Sequence, residues 1–265
     1  MEAITVDQPG RPLSRRRVLG VGAAALVVAG CSTGQSASGP APVPPTSRPA
    51  PSPTTTVASS TSAAPGGPAV QVARITTGRP EVALTFHGAG DLGIARQIHD
   101  ALAAASAKAT IMAVGTWLAS SPDGIRMFHD SGHDIGNHTW SHGVMSGMST
   151  TTMLSEIERC RDKLVELLGT PGAFFRQSSA QTATRSELVE AGIAGYARVL
   201  SYDIDGLDWQ DPGPTAIRRA VATATQGSIV SLHLGHQGTV VALPGILADL
   251  QTRGLAAVTA TELLR

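Results

Sequence analysis

The sequence predicts an α/β fold over residues 70–265, a distorted (β/α) barrel of about seven parallel strands that is similar to a TIM barrel. Short runs rich in β-branched and aromatic residues alternate there with longer amphipathic runs, which is the pattern of a parallel sheet covered by helices. Histidine, arginine or aspartate follows five of the predicted strands. An open doubly wound sheet also suits this length, but in a barrel these polar positions meet at one mouth, so the barrel is favoured.

Residues 1–31 are typical of an export signal and not of a fold element. Arg15–Arg17 precede an apolar run, Val18–Gly30, which is shorter than the roughly 20 residues that a membrane-spanning helix needs. The paired arginines resemble a twin-arginine signal, and the small residues before Cys31 resemble a bacterial lipobox. We expect lipidation of Cys31 and an exported protein anchored to the outer face of the cytoplasmic membrane. A simple membrane anchor with an incidental cysteine is the alternative.

Residues 32–69 are predicted to be a disordered tether. The stretch is nearly all Ser, Thr, Ala, Pro and Gly, and Arg48 is its only charged residue. It has too little large apolar surface to offset the entropy of ordering it. Residues 70–265 then have the right length for one domain.

Within that domain, the periodicity of apolar residues and the positions of turn-forming residues predict the strands and helices. The predicted strands are Val82–Phe86, Thr110–Val114, Asp134–Asn137, Ala173–Phe175, Tyr196–Ser201, Ser228–Leu232 and Ala256–Val258. The predicted helices are Leu92–Ala105, Thr116–Asp130, Thr150–Leu168, Thr184–Ala191, Pro214–Thr225 and Val240–Arg253.

The composition argues against a nucleic-acid partner and against an internal disulfide. A formal net charge of +0 and an aromatic content of 3% argue against nucleic acid as a partner. With Cys31 lipidated, Cys160 has no partner, so no internal disulfide is expected. The spacing of Cys160 from Ile157 and Leu164 predicts a packed core thiol on a helix. We expect a monomer.

The polar residues at the predicted strand ends are the candidates for a functional site. They are His87, His138, Arg176, Asp203 with Asp205, and His233. His142 lies four residues after His138, and on a helical turn this spacing would place both imidazoles on one face, where they can share a divalent metal. His129 and His133 have the same spacing, but solvent exposure is the expected explanation there.

The string Gly132–His142, which reads GHDIGNHTWSH, resembles the second motif of the polysaccharide deacetylases, also called family-4 carbohydrate esterases or the NodB-homology group. The resemblance covers most of residues 80–265. Arg176 stands where the third motif begins, Asp205–Trp209 matches the fourth, D-x-x-D-W, and Ile229–His233 matches the fifth. It implies a distorted β/α barrel that removes N- or O-acetyl groups from chitin, peptidoglycan or xylan with a divalent metal, commonly zinc.

The resemblance also implies roles for single residues. His233 would protonate the departing amine, with Asp208 or Asp205 tuning it, and Arg176 would orient or charge-stabilise the base. Trp209 would form an apolar wall for the acetyl methyl group. Ser179, next to the third motif, is a further candidate for substrate binding.

Two motifs depart from the family pattern. The first family motif is T-F-D-D-G, in which one Asp is the general base and the next binds metal, whereas this chain reads Thr85-Phe86-His87-Gly88. The third motif usually has Pro after Arg, but here Gln177 follows Arg176. Both carboxylates of the first motif are therefore absent.

Two arrangements of the metal site stay open. A catalytic zinc normally takes three protein ligands and water, so His87 can join His138 and His142 as the third ligand. The general base would then be sought among three carboxylates, Asp91, Asp203 and Asp205. Alternatively, His87 is itself the base, because an imidazole titrates near neutral pH, and two histidines hold the metal.

These features predict a metal-dependent hydrolase that removes acetyl groups, bound as an amide or an ester, from a cell-envelope polysaccharide such as peptidoglycan. The alternative is a catalytically inactive, glycan-binding relative in the envelope. His138, His142, Arg176, Asp208 and His233 are present together, which favours the enzyme. A membrane-held domain on a tether would sample polymer close to the membrane.

Overall fold

The computed structural model of the chain describes residues 67–265. The predicted signal, Cys31 and residues 32–66 of the predicted tether lie outside the described residues. The strands are β1 (Val70–Val72), β2 (Glu81–Gly88), β3 (Thr110–Ala113), β4 (Asp134–Asn137), β5 (Arg198–Leu200), β6 (Ile204–Asp205), β7 (Ile229–His233) and β8 (Ala256–Val258). The helices are α1 (Leu92–Ala104), α2 (Gly115–Ser120), α3 (Pro122–Asp130), α4 (Thr150–Leu168), α5 (Arg185–Ile193), α6 (Pro214–Val221), α7 (Gln237–Thr252) and α8 (Ala260–Leu263).

All the strand pairs are parallel, which confirms the predicted α/β class with parallel strands. One sheet runs β4-β3-β2-β7-β6, with β8 also paired to β2, and β1 pairs with β5. Phe175 bridges Asn137 at the end of β4 and Val199 in β5, which links the two sheets. Within residues 67–265 no bridge joins β1 to β6, so the barrel is distorted and its ladder is open there.

Three local predictions differ from the structure. The predicted strand Ala173–Phe175 is reduced to the single bridging residue Phe175. The predicted helix Thr116–Asp130 is two helices that meet at Ser121, because Pro122 pushes the residue before it out of the helical region. The short strands β1 and β6 were not predicted.

The alternation of side chains along β2 separates two parts of the core. Val82, Leu84 and Phe86 pack in the cluster that includes residues of α1, α3 and α7. Ala83 lies on the opposite face, in a cluster with residues such as Met112. Because successive side chains of a strand point to opposite faces, His87 shares the face of Ala83. His87 therefore stands at the carboxyl end of the barrel interior.

The thiol of Cys160 is part of the core, as predicted. It is fully buried on α4 and donates to the carbonyl oxygen of Ala113 at 3.3 Å. Burial raises its pKa to about 12, so the reactive thiolate is absent at neutral pH. None of the helices in residues 67–265 is long and apolar enough to cross a membrane.

Candidate active site

The carboxyl ends of the strands bring the predicted residues to one edge of the fold. His87 is the last residue but one of β2 and is the register partner of His233, which ends β7. His138 and His142 follow β4, and Arg176 follows the bridging residue Phe175. The predicted convergence of these strand ends therefore holds for the described structure.

The segment from His138 to His142 is an irregular loop, so the expectation of a helical turn is wrong. Thr139 and His142 both have a positive φ, 64° and 60°. The amide of Thr139 donates to the side-chain oxygen of Asn137 at 3.0 Å, and the Thr139 hydroxyl accepts from the amide of His142 at 3.2 Å. These bonds fold the loop so that the rings of His138 and His142 lie 4.7 Å apart.

A buried carboxylate from α4, which no sequence motif indicated, supports this loop. Glu156 accepts from the amide of Ser141 at 2.7 Å and from its hydroxyl at 2.9 Å. Trp140 packs on Gly115, where a Cβ atom would come within 2.9 Å of the Trp140 Cα. Glu156 and Gly115 therefore hold the segment that carries His142.

The three histidines form a cluster that is able to hold a cation. One ring nitrogen each from His87, His138 and His142 lies within 4.8 Å of the others. Nδ1 of His87 and Nε2 of His138 are 3.1 Å apart. Nitrogens around a tetrahedral zinc, each bonded at 2.0–2.1 Å, lie about 3.3 Å apart. The described residues therefore fit a divalent ion.

The protonation of these rings also suits ion binding. Nδ1 of His138 lies 3.0 Å from the carbonyl oxygen of Arg176, which can only accept, so this nitrogen carries the hydrogen and Nε2 keeps its lone pair. Burial, followed by the neighbouring imidazoles, lowers the pKa of His87 and His138 well below 6.5. Burial and His233 lower the pKa of His142. The rings are neutral at pH 7, the state in which imidazole binds metals.

His233 is held by a buried carboxylate. Oδ1 of Asp208 lies 2.8 Å from Nδ1 of His233, and Oδ2 accepts from the His233 amide at 2.8 Å and from the Thr239 hydroxyl at 2.5 Å. Asp208 is fully buried. Asp205 instead accepts from the Leu207 amide at 2.8 Å and from Trp209 Nε1 at 3.4 Å. Of the two aspartates that the sequence proposed, Asp208 is the one in contact with His233.

Arg176 is fully buried and has no carboxylate partner among residues 67–265. Its Nε donates to the Leu200 carbonyl at 2.6 Å and Nη2 to the Ser201 carbonyl at 3.2 Å, while Nη1 has no partner there. Burial lowers its pKa to about 9, and the guanidinium lies 5.4 Å from the ring centre of Tyr202. In this chain Arg176 braces backbone carbonyls instead of a carboxylate base.

Two of the aspartates considered as bases have other roles. Asp91 caps α1, where its side chain accepts from the Ile94 amide at 3.0 Å. Asp203 pairs with Arg74 at 2.8 Å and accepts from the Ile229 amide at 2.7 Å. Asp205 lines the cleft beside His87. The structure therefore leaves Asp205 and His87 as the candidates for the base.

The cleft has two lobes that share His87, His142 and His233. The larger, about 420 Å³, is also lined by Ser179, Ala180, Gln181, Tyr202, Asp205 and Trp209. The smaller, about 250 Å³, is also lined by Ala89, Gly90, Val114, Gly235 and His236. Ser179 and Trp209 were predicted to bind substrate, and both line the larger lobe. Tyr202 and His236 were not anticipated, because neither lies in a motif.

Gly88, which replaces the second aspartate of the first family motif, is closely packed between neighbouring strands. Gly88 continues β2 and pairs with Ala113 of β3. A Cβ atom at Gly88 would lie 3.0 Å from the Ala113 Cα and 3.0 Å from the Ile111 Cγ2. A side chain at position 88 would require these neighbours to move by a few tenths of an ångström, so the packing here is adapted to glycine. With glycine at this position, the cation cluster consists of imidazoles alone.

Comparisons with known proteins agree with this architecture. The family model for polysaccharide deacetylase matches residues 74–196. The chain is 33% identical over 195 residues to a peptidoglycan-N-acetylglucosamine deacetylase of Bacillus cereus, covering 69% of this chain and 88% of the relative. Among solved structures, the Bc1960 peptidoglycan N-acetylglucosamine deacetylase superposes with a TM-score of 0.68 at 26% identity, covering 73% of this chain and 92% of that one.

Another structural neighbour is a pseudoenzyme of the CE4 family from Bacillus anthracis. It has a TM-score of 0.69 at 21% identity, covering 74% of this chain and 69% of that one, and at this identity the similarity concerns the fold. The matched relatives and structures thus include peptidoglycan deacetylases and a pseudoenzyme. The identity to the Bacillus cereus enzyme over most of its length, together with the family model, shows that the chain belongs to the polysaccharide deacetylase family.

Proposed function

We propose that this protein is a metal-dependent hydrolase that removes acetyl groups from a cell-envelope glycan of the peptidoglycan type. The observation that carries the proposal is that the cluster of three neutral histidines and the His233–Asp208 pair meet at one cleft, which His87, His142 and His233 line. The peptidoglycan deacetylases among its relatives favour an N-acetyl group, bound as an amide, as the group removed.

His87, His138 and His142 would hold the divalent ion. The family is generally metal-dependent, and a donor set of imidazoles alone favours zinc over magnesium or calcium, which prefer oxygen ligands. When bound, the ion would supply Lewis acidity toward the acetyl carbonyl and the attacking water.

The other residues supply the proton transfers. His233 would deliver a proton to the sugar nitrogen as the carbon–nitrogen bond breaks, which yields acetate and a free amine. Asp208 holds Nδ1 of His233, so Nε2 is the nitrogen free to act as the acid. Asp205 would take the proton of water if His87 binds the ion. If His87 is the base, His138 and His142 alone hold the ion.

The larger lobe would receive the acetylated sugar. Trp209 is 51% exposed at its rim and offers an apolar face to a sugar ring or to the acetyl methyl group. Ser179, Gln181 and Tyr202 add polar groups for sugar hydroxyls. Cys31 would anchor the chain to the membrane, and a flexible tether of residues 32–69 would span roughly 30–40 Å on average, within reach of envelope polymer.

A second function, glycan binding without catalysis, has one observation in its favour. The buried Arg176 has lost the carboxylate that the family pattern would place at position 87, and its Nη1 is left without a partner in the described residues. A pseudoenzyme among the structural neighbours is consistent with this alternative.

Acetate release from peptidoglycan and from N-acetylglucosamine oligomers tests the proposal. We expect the zinc-loaded full chain to release acetate, and we expect His233→Ala to lower kcat by about 100- to 10,000-fold while the ion stays bound. His142→Ala should lose both ion and activity. His129→Ala, which changes a histidine at the end of α3 outside the cleft, should behave as wild type.

Two further outcomes separate the alternatives. If His87→Ala weakens ion binding, with only His138 and His142 left to hold the ion, His87 is a ligand; if the ion is bound as tightly as in wild type and activity is lost, His87 is the base. Ion-bound wild-type protein that binds these glycans and releases no acetate from any of them would overturn the enzyme and support the glycan-binding relative.

A further inference from the structure

Ser231 lies against the ring of His87 in the barrel interior and has no role in the chemistry above. It is on β7, where its register partner is Thr85, two residues before His87. Ser231 is 1% exposed, and its hydroxyl oxygen is 3.0 Å from Nε2 of His87. Within the described part of the chain this hydroxyl is the partner of Nε2, while Nδ1 faces His138.

The neighbouring ring restricts which nitrogen of His87 carries the hydrogen. His138 donates from Nδ1 to the Arg176 carbonyl, so its Nε2 presents a lone pair to Nδ1 of His87 at 3.1 Å. Two lone pairs cannot face each other at this distance unless something positive lies between them. That positive group is either a hydrogen on Nδ1 of His87 or a shared cation.

The hydroxyl of Ser231 suits both states of His87. Without an ion, Nδ1 donates to His138, and Nε2 accepts from the Ser231 hydroxyl. With an ion, Nδ1 must be bare, so the hydrogen moves to Nε2 and needs an acceptor in a buried place. A hydroxyl can donate or accept, whereas an apolar side chain would leave this N–H unsatisfied in the ion-binding state.

We propose that Ser231 is a positioning residue that stabilises the ion-binding tautomer of His87 and thereby sets the affinity of the three-histidine cluster for a divalent ion. The inference rests on the metal-dependent function proposed above. Ser231 would influence the affinity for the divalent ion through its hydrogen bond to His87, without contacting the ion or the substrate.

The test is the zinc dissociation constant of the full chain, measured by competition with a chromophoric chelator. Ser231→Ala should weaken zinc binding about 10- to 100-fold, the usual effect of removing the hydrogen-bond partner of a ligating histidine. The matched control is Thr85→Val on the paired strand, which removes a buried hydroxyl whose hydrogen bond goes to the Val230 carbonyl at 2.7 Å and not to a histidine of the cluster. It should leave zinc affinity unchanged.

Two measurements separate positioning from a general loss of structure. Ser231→Ala should have no further effect on zinc affinity in a His87→Ala background, because the two residues act through one bond. In zinc-loaded wild type, ¹⁵N NMR should show the hydrogen of His87 on Nε2.

Equal zinc affinity in wild type and Ser231→Ala, or a further loss in the His87→Ala background, would overturn the role of Ser231 and leave the metal site standing. Wild-type protein that binds no zinc would overturn both the metal site and this inference.

Discussion

At the scale of single residues, His87 decides the character of the site. Its ring joins His138 through one nitrogen and Ser231 through the other. Gly88 beside it is closely packed, since a Cβ atom there would lie 3.0 Å from the Ala113 Cα. Three neutral imidazoles leave the charge of a divalent ion uncompensated, whereas a carboxylate ligand would cancel part of it. An ion held here would therefore be a stronger Lewis acid than one held partly by carboxylate.

His129 and His133 have the same four-residue spacing as His138 and His142, but His133 has a different role. It was expected to be exposed, but it is 6% exposed and its Nδ1 accepts from the Ala109 amide at 3.1 Å. The expectation was wrong because the turn after α3 places the His133 ring against the Ala109 amide and beside the rings of His99 and Phe128, which periodicity does not reveal. Burial, with the charge of Lys108 next, lowers its pKa to about 4.

This pKa predicts an acid-sensitive contribution to stability. Between pH 6.5 and 4 the unfolded chain binds a proton at His133 and the folded chain does not, so the free energy of unfolding should fall by about 1–3 kcal/mol over this range. The contribution is fully present above pH 6.5. Urea unfolding at several pH values should show a smaller acid loss in His133→Gln than in wild type. Equal losses in the two proteins would contradict the prediction.

At the scale of elements, the sequence predicted the bounds of α4 correctly but did not indicate that this helix supports the loop of His142. Ser149 caps its first turn with a 3.2 Å bond to the Thr152 amide, and Gly169 ends it with φ 72°, so the predicted bounds Thr150–Leu168 match those observed. The buried Glu156 on this helix holds the amide and hydroxyl of Ser141. The orientation of His142 therefore depends on a helix that begins eight residues later in the chain.

Glu156→Gln should weaken zinc binding about tenfold or more, because the loop that carries His142 loses its charge-assisted hydrogen bonds. The measurement is the same chelator competition in the full chain. Glu158→Gln is the matched control, since Glu158 lies on the same helix and pairs with Arg161 away from the loop. Equal affinities in the two variants would show that Glu156 does not position His142.

At the scale of the whole molecule, the domain is expected to work at the end of a membrane-held tether. That arrangement depends on Cys31, since Cys160 is buried in the core. We expect the lipidation of Cys31 to determine where the protein is located.

Metabolic labelling with an alkyne fatty acid in a bacterial host tests the anchor. The full chain should be labelled, Cys31→Ala should not be labelled, and Cys160→Ala should be labelled like wild type. Label that persists in Cys31→Ala would contradict lipidation at this residue.

Much of the architecture was predictable because it depends on patterns among neighbouring residues. β4 and β8 have the predicted bounds, and the parallel arrangement follows from alternating strands and helices. The strand β6 was missed because it has only two residues, too few for a period to register, and the three-residue strand β1, directly after the predicted tether, was missed as well. Within the site, Ser231, Glu156, Tyr202 and His236 were missed because their contacts join distant parts of the chain.

By itself, the sequence determined the fold class, the family and the strand ends that carry the site, because periodicity and motif spacing are properties of neighbouring residues. Only the tertiary structure decided that Asp208 and not Asp205 contacts His233, that Arg176 has no carboxylate partner within residues 67–265, and that Ser231 meets His87 across 144 residues. The physical reason is that a hydrogen bond depends on distance and direction within a few tenths of an ångström, and the packing of whole strands and helices sets both.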